Sequence, residues 1–410
     1  MKAEDINDQE TLKVWLQNRP HEDAVWIAHR AAMRVLPVWA GLPPDILTRK
    51  GGMTDLPILR ALLTSGVGCK YLTPQVRAAA AALALGFDAD SSAAQSAAAA
   101  RAAAATHDYS AFAAALADAA ALAAATILAT DFADLATEPS LAATRAATAT
   151  TCAAAVSAAH ASSTAAWRQV TKDCVALQHR DSLSEVPVWV DAPNLFQAKW
   201  NFACAAWQAN PDYAFWLRWY EAALAGTPPN WSLLHDLALI PNEDWEKGIG
   251  HIAGLIATFE ERYHLLRQIA HLQEQLRDVT TLSTANAASP EHRSHNNPPD
   301  LINAPVEIRR AFTVITVALD DAKAELETPV PRPSVLRRAG HALLDAVKSI
   351  LGYCAALGDI ALKEGAKVVG LTGTKWAIGI LAVSVSTQLP PLQSQARALL
   401  DFAQKLPTLH

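Results

Sequence analysis

The stretch that decides the fold lies between residues 76 and 166. It contains VRAAAAALAL at 76–85, AAAARAAAAT at 97–106 and AFAAALADAAALAAATILATDFADL at 111–135. Ala loses no side-chain entropy on entering a helix, so the uninterrupted Ala runs at 78–82 and 97–100 predict helix, and the small side chains permit close helix approach. Tyr109, Phe112 and Leu116 recur at helical spacing, as do Leu128, Phe132 and Leu135, giving each segment one bulky stripe for a core. Asp90, Ser91 and Asp108 are expected caps, and Glu138-Pro139 an expected break.

On the amino-terminal side, Leu12, Trp15 and Leu16 predict one helix and Val25, Trp26, Met33 and Leu36 a second. The two are split at Arg19-Pro20, and Pro37 is expected to end the second. Gly41, Pro43-Pro44 and Gly51-Gly52 read as loop before a third helix over 56–64. The run Gly66-Val67-Gly68-Cys69-Lys70 reads as the turn that closes it. Thr73 is placed to cap the next helix, with Pro74 at its first position, where a missing N–H costs nothing.

On the carboxy-terminal side Ala gives way to Trp. Seven of the twelve tryptophans fall between 189 and 245. Trp200, Cys204 and Trp207 share a helix face; Asp212 is expected to cap a helix carrying Phe215, Trp216, Trp219 and Tyr220, which ends near Gly226. Asn230 caps a helix over 231–240, and Glu243 or Asp244 starts a long amphipathic helix over 245–279. Its positions Ile249, Ile252, Ile256, Phe259, Tyr263 and Leu266 alternate spacings of three and four. Polar residues 280–300 read as a linker, 306–327 as a helix, and Pro329, Pro331 and Pro333 as a stiff spacer before a helix capped by Ser334.

These readings give an all-α protein, a multi-helix bundle in five parts. They are an Ala-rich domain (1–180), a Trp-rich bundle (181–280), a linker (281–300), a helix with the Pro spacer (301–333) and a carboxy-terminal hydrophobic module (334–410).

Composition limits the function. With 410 residues, 51% of them hydrophobic, the chain can bury a sizeable core. Its net charge of -6 and scattered basic residues do not form the stripe that neutralises phosphates, so nucleic acid is not an expected partner. Five well-separated cysteines form neither a disulfide framework nor a zinc site. The polar, acidic amino terminus has no signal-peptide pattern, which predicts a cytoplasmic chain.

No nucleophile elbow, Walker loop or dinucleotide fingerprint is present. Glu261 and His264 have the E-x-x-H spacing of di-iron bundles but no second pair; His271 and Glu274 read, like them, as the polar side of a helix. The same holds for His21, Glu22, Asp23 and His29, whose acidic members favour the positive end of a helix dipole. His292 and His295 lack carboxylate or thiolate neighbours. The reading is therefore of a protein that is not an enzyme and has no cofactor and no metal.

Two segments are candidates for contact with something else. Trp207, Trp216, Trp219 and Tyr220 would form an aromatic partner surface if exposed, though large aromatics at helical spacing are mostly core anchors. Val368, Trp376, Ile378, Ile380, Leu381, Val383, Val385 and Leu389 mark a hydrophobic segment over 368–389. The apolar run at 376–389 is shorter than the ~20 residues a span needs, and extension draws in Lys375, which costs roughly 3 kcal/mol near a helix centre. It is expected as the buried helix of a small bundle with Leu343, Val347, Ile350, Leu399 and Leu400, or else as a conditional contact with the inner membrane.

Three segments resemble an uncharacterised family of bacterial all-helical proteins. They are Trp15-Leu16 with Arg19-Pro20 through Ala31-Ala32 and Val35-Leu36-Pro37, then Phe215-Trp216 with Trp219-Tyr220, and finally the run His295-Asn296-Asn297-Pro298-Pro299. The resemblance implies a long Ala-rich middle and a hydrophobic tail, with no established activity; some similar proteins accompany bacterial defence or signalling modules. The functional expectation is a non-enzymatic helical scaffold or regulatory interaction protein that binds a protein partner or itself. The alternative is a membrane-acting effector, of the defence kind, using 368–389.

Overall fold

The computed structural model describes residues 1–40, 55–71, 73–84, 161–190, 194, 196–287, 304–363 and 374–406. Among the described residues the regular structure is entirely helical, with thirteen α-helices, three 3-10 turns and no strand. The Ala-rich stripes and caps between 85 and 160, the histidines at 292 and 295, and Val368 lie outside the described residues. The chain divides into two compact units, Met1–Phe259 and Glu260–His410.

In the first unit, α1 (Gln9–Leu16) and α2 (His21–Ala40) are separated at Arg19-Pro20 as the sequence predicts. Pro37, however, does not end α2, which continues to Ala40. Proline has no N–H to give the carbonyl four residues back, so the Met33 carbonyl loses its helical donor. The hydroxyl of buried Tyr220 replaces it, donating to the Met33 oxygen at 3.1 Å.

α3 spans Asp55–Lys70, longer than the sequence implies, because Gly66 and Gly68 sit inside it rather than in a closing turn. Gly66 has a packing reason: a Cβ there would stand 3.0 Å from His29 Cε1 and 3.2 Å from Nε2 of α2, so any larger residue would push the imidazole back by a few tenths of an ångström. α4 (Pro74–Ala84) starts as expected, with Val76 N–H donating to Thr73 Oγ1 at 3.2 Å.

α5 (Ala161–His179) ends at Arg180, which has φ 64, and residues 181–190 then run mostly extended around the 3-10 turn Leu183–Glu185. α6 (Gln197–Gln208) and α7 (Ala214–Ala225) follow. Asn210, not Asp212, is the cap between them: it accepts from Asp212 N–H and starts the turn Pro211–Tyr213. Gly226, at φ 70, terminates α7, a left-handed conformation glycine adopts without steric cost. α8 (Trp231–Ala238) is capped by Asn230, whose side chain accepts from Leu233 N–H.

The long helix does not begin at Glu243 or Asp244. Those residues belong to the single turn α9 (Asn242–Trp245); Gly248, at φ 93, breaks the helical path, and α10 (Ile249–Ala287) starts after it.

The second unit contains the later part of α10 with α11 (Ala304–Leu326), α12 (Pro333–Lys363) and α13 (Thr374–Lys405). One apolar core joins them: Leu265, Ile269 and Leu272 of α10, Ile315 and Leu319 of α11, Leu343 and Val347 of α12, and Leu399 and Phe402 of α13. The prolines at 329–333 form the turn of a helical hairpin, not a spacer, since α11 and α12 pack along their lengths. Glu325 closes that turn, its carboxylate accepting from Arg332 N–H at 2.6 Å and from the Arg332 guanidinium at 2.8 Å. Pro333 occupies the first turn of α12, so Ser334 lies within the helix rather than capping it. α13 runs unbroken through Pro390 and Pro391.

Candidate functional site

Two charged residues on α2 organise the first unit. Arg30 and Arg34, one turn apart, both reach Asp173 of α5. Arg30 Nε stands 2.8 Å from Oδ1 and Arg34 Nη2 2.6 Å from Oδ2, with the side chains of Arg34 and Asp173 fully buried. The remaining donors of Arg30 hold the extended chain after α5, meeting the carbonyls of Leu183 at 3.0 Å, Val186 at 2.8 Å and Pro187 at 2.6 Å. Arg34 Nε donates to the Val188 carbonyl at 3.0 Å. From α5, Gln169 exchanges two hydrogen bonds with the backbone of Val190, and Lys172 donates to the same carbonyl.

This clamp explains why an extended segment with no ladder partner is stable inside a helical unit: its carbonyls are satisfied by guanidinium groups, whose hydrogen bonds are charge-assisted. Two cations share one carboxylate, and burial pushes the Arg34 guanidinium below its ordinary pKa. Arg34 Nη1 has no hydrogen-bond partner among the described residues. The sequence reading missed this hub. Its signal was available in two charges four residues apart inside an apolar stretch of α2, and in Asp173 beside Val170, Cys174 and Leu177.

Next to the clamp lies a small cleft, with a cavity volume of about 50 Å³. His29 lines it together with Trp26, Met33, Gly66, Trp219 and Trp231. Trp26 meets Trp231 edge-on at 6.2 Å and His29 at 6.1 Å. The three tryptophans are half-buried, whereas His29 is only 8% exposed.

The Ser65 hydroxyl links His29 to the backbone of α3. Ser65 has one hydroxyl proton, which it donates to the Leu62 carbonyl at 2.9 Å. With that proton on the carbonyl, its oxygen accepts from His29 Nδ1–H, also at 2.9 Å, and this is the tautomer that leaves Nε2 a lone pair with no partner among the described residues. Burial first, and the charge of Arg30 second, hold the imidazole pKa down to about 3, so the ring is neutral.

The aromatic partner surface expected from sequence is not formed as such. Trp207, Trp216 and Tyr220 are buried because they pack on other rings: Trp207 stacks on Tyr213 at 5.3 Å, Tyr220 lies 4.5 Å from Trp200, and Trp216 contacts Trp245 at 6.4 Å. Trp219 alone of the four is half-buried, and it lines the cleft. The indole N–H groups are unevenly served: Trp245 donates to the Ile240 carbonyl, while those of Trp189 and Trp216 are buried without a partner among the described residues.

Trp376, Ile378, Ile380, Leu381, Val383 and Val385 fall in the first half of α13, and Leu389 is buried in the core of the second unit. Among the described residues no helix is long and apolar enough to cross a membrane. No group of three metal-ligating side chains occurs among them either. Glu261 pairs with Lys405 at 2.8 Å, and His264, His271 and Glu274 are exposed. Asp23 pairs with Arg19 at 2.6 Å. Cys69 and Cys174 are buried, and burial pushes both thiols well above their ordinary pKa, away from reactive thiolate.

In the second unit, α11 carries an outward seam. Arg310, Val314, Val317 and Asp321 are exposed and follow one another at i, i+4, i+7 and i+11, away from the buried Ile315, Ala318, Leu319 and Ala322. Val314 is 40% and Val317 53% exposed. Asp321 approaches Arg338 only at 4.0 Å.

No protein-family model matches the chain, and neither a curated protein nor a solved structure shows significant similarity to it.

Proposed function

We propose that this protein is a helical scaffold or regulatory interaction protein that works through helix–helix contact, and that its first partner is a second copy of itself. The observation that supports the reading is the seam on α11. If two copies of α11 cross antiparallel with their midpoint between Val314 and Val317, each Val314 meets the other copy's Val317. The same geometry sets each Arg310 against the other copy's Asp321, so one symmetric operation matches both apolar groups and both charges. A seam with opposite charges at its two ends is self-complementary in this direction only.

Light scattering coupled to size exclusion tests the reading on the full chain. The expected result is a dimer that Val317→Asp converts to monomer with an unchanged helical circular dichroism spectrum. Arg310→Asp should weaken the dimer, and adding Asp321→Arg should restore it by swapping the pair. A monomeric parent protein, or a dimer indifferent to Val317→Asp, refutes the assignment of this seam.

A further inference from the structure

We infer that the cleft of the first unit is a binding site for a small neutral aromatic compound bearing one O–H or N–H, of the phenol or indole class. Its donor would meet His29 Nε2, and its ring would lie among Trp26, Trp219 and Trp231.

Four observations carry the assignment. The acceptor is specific: Nδ1 is committed to Ser65, so the one polar atom the imidazole has left is the Nε2 lone pair, and it lies in a residue more than nine-tenths buried. An acceptor in a residue this buried has little solvent to bond, and a ligand donor supplies the hydrogen bond it lacks.

The walls are apolar and aromatic. Besides the three tryptophans they include Met33 and Leu234, and rings of this kind favour edge-on or offset contact with another ring. Polar side chains also line the cleft, Ser184 and Thr227 among them, and His29 is the most deeply buried of the three.

Charge selects a neutral ligand. The Arg30 guanidinium stands beside the imidazole and disfavours a cation. An anion is disfavoured too, because a lone pair faces it and all of the Arg30 nitrogens already have acceptors.

Size sets the last limit. A cavity of about 50 Å³ takes the donor and the adjoining ring edge, while the half-buried tryptophans at the rim receive the remainder. This places the site in the class of small, preformed, mostly apolar pockets with an orienting polar group.

Phenol and toluene form the discriminating pair, since they are nearly equal in size and only phenol donates. The full-length protein is titrated with each, with indole fluorescence excited beyond the phenol absorption band and isothermal calorimetry as readouts. Phenol is expected to bind about tenfold more tightly than toluene, the ratio that one hydrogen bond to a buried acceptor gives. His29→Phe should reduce that ratio to about one, and Ala223→Leu, at the cleft wall, should weaken both compounds together. Equal binding of phenol and toluene by the parent protein, or binding of neither, overturns the proposal without recourse to either variant. A phenol preference that survives His29→Phe in a folded protein overturns the role given to Nε2.

Discussion

Tyr220→Phe removes a single hydroxyl, and its cost should depend on a residue in another helix, Pro37. In the parent protein the Met33 carbonyl has lost its helical donor to proline and accepts from Tyr220 instead. Both Met33 and Tyr220 are buried, so the variant leaves a carbonyl without a donor, at a cost of about 1–3 kcal/mol. Pro37→Ala restores an N–H that the Met33 carbonyl can accept within the helix. In that background Tyr220→Phe should cost less than about 0.5 kcal/mol, a coupling of about 1–2 kcal/mol between two residues 183 apart in sequence. The cycle cancels the separate effects of Pro37→Ala on chain entropy and ring burial. Urea unfolding followed by tryptophan fluorescence is the assay, because eleven of the twelve tryptophans belong to Met1–Phe259. A coupling within about 0.3 kcal/mol of zero refutes the claim that tyrosine serves as the proline's missing donor.

Asp173→Ala should destabilise the first unit by at least about 3 kcal/mol, since removing one partner of a buried ion pair strands the other and here two arginines are stranded; the same urea assay checks it. His29 provides a pH test. Its folded pKa lies near 3 and its unfolded value near 6.5, so the unfolded chain gains a proton first and stability falls as pH drops from 6.5 towards 3. The loss approaches about 5 kcal/mol at its limit and about 3 kcal/mol by pH 4, and comparing His29→Phe with the parent at pH 7 and pH 4 should show the variant spared that part of the decline. Glu325, held below the ordinary carboxylate range by Arg332, should contribute stability above that range and lose it as pH falls through its lowered pKa. Glu325→Gln should therefore cost the second unit under about 1 kcal/mol at pH 7, since Arg332 is largely exposed, and nothing near pH 2, as read by circular dichroism during unfolding.

The all-α class, the break at Arg19-Pro20 and the caps Thr73, Asn230 and Gly226 were legible because each depends on side chains within four residues. What the sequence concealed depends on distant partners. Pro37 reads locally as a stop, and only Tyr220, reached through the fold, reveals why the helix survives it. Gly66 and Gly68 read as a turn, since nothing local announces the imidazole that Gly66 must clear. The tryptophan positions marked as a partner surface share a periodicity with core anchors, and periodicity does not say which face is covered. His29 was visible as a residue, but its free lone pair depends on the single proton of Ser65, thirty-six positions away.

The bond from Tyr220 to Met33 closes a loop of 187 residues, and those from Arg30 to Asp173 and from Arg34 to Val188 close loops of 143 and 154. A ribosome therefore delivers the second helix long before the groups that complete it. Until Asp173 emerges, two guanidinium groups have no counter-ion; until Tyr220 emerges, the helix has a carbonyl with no donor. The amino-terminal third is thus unfit to settle early, and the first unit should acquire its structure late and in one step during translation. Nascent chains halted before position 173 should be cut readily by protease, and those extended past 259 should resist.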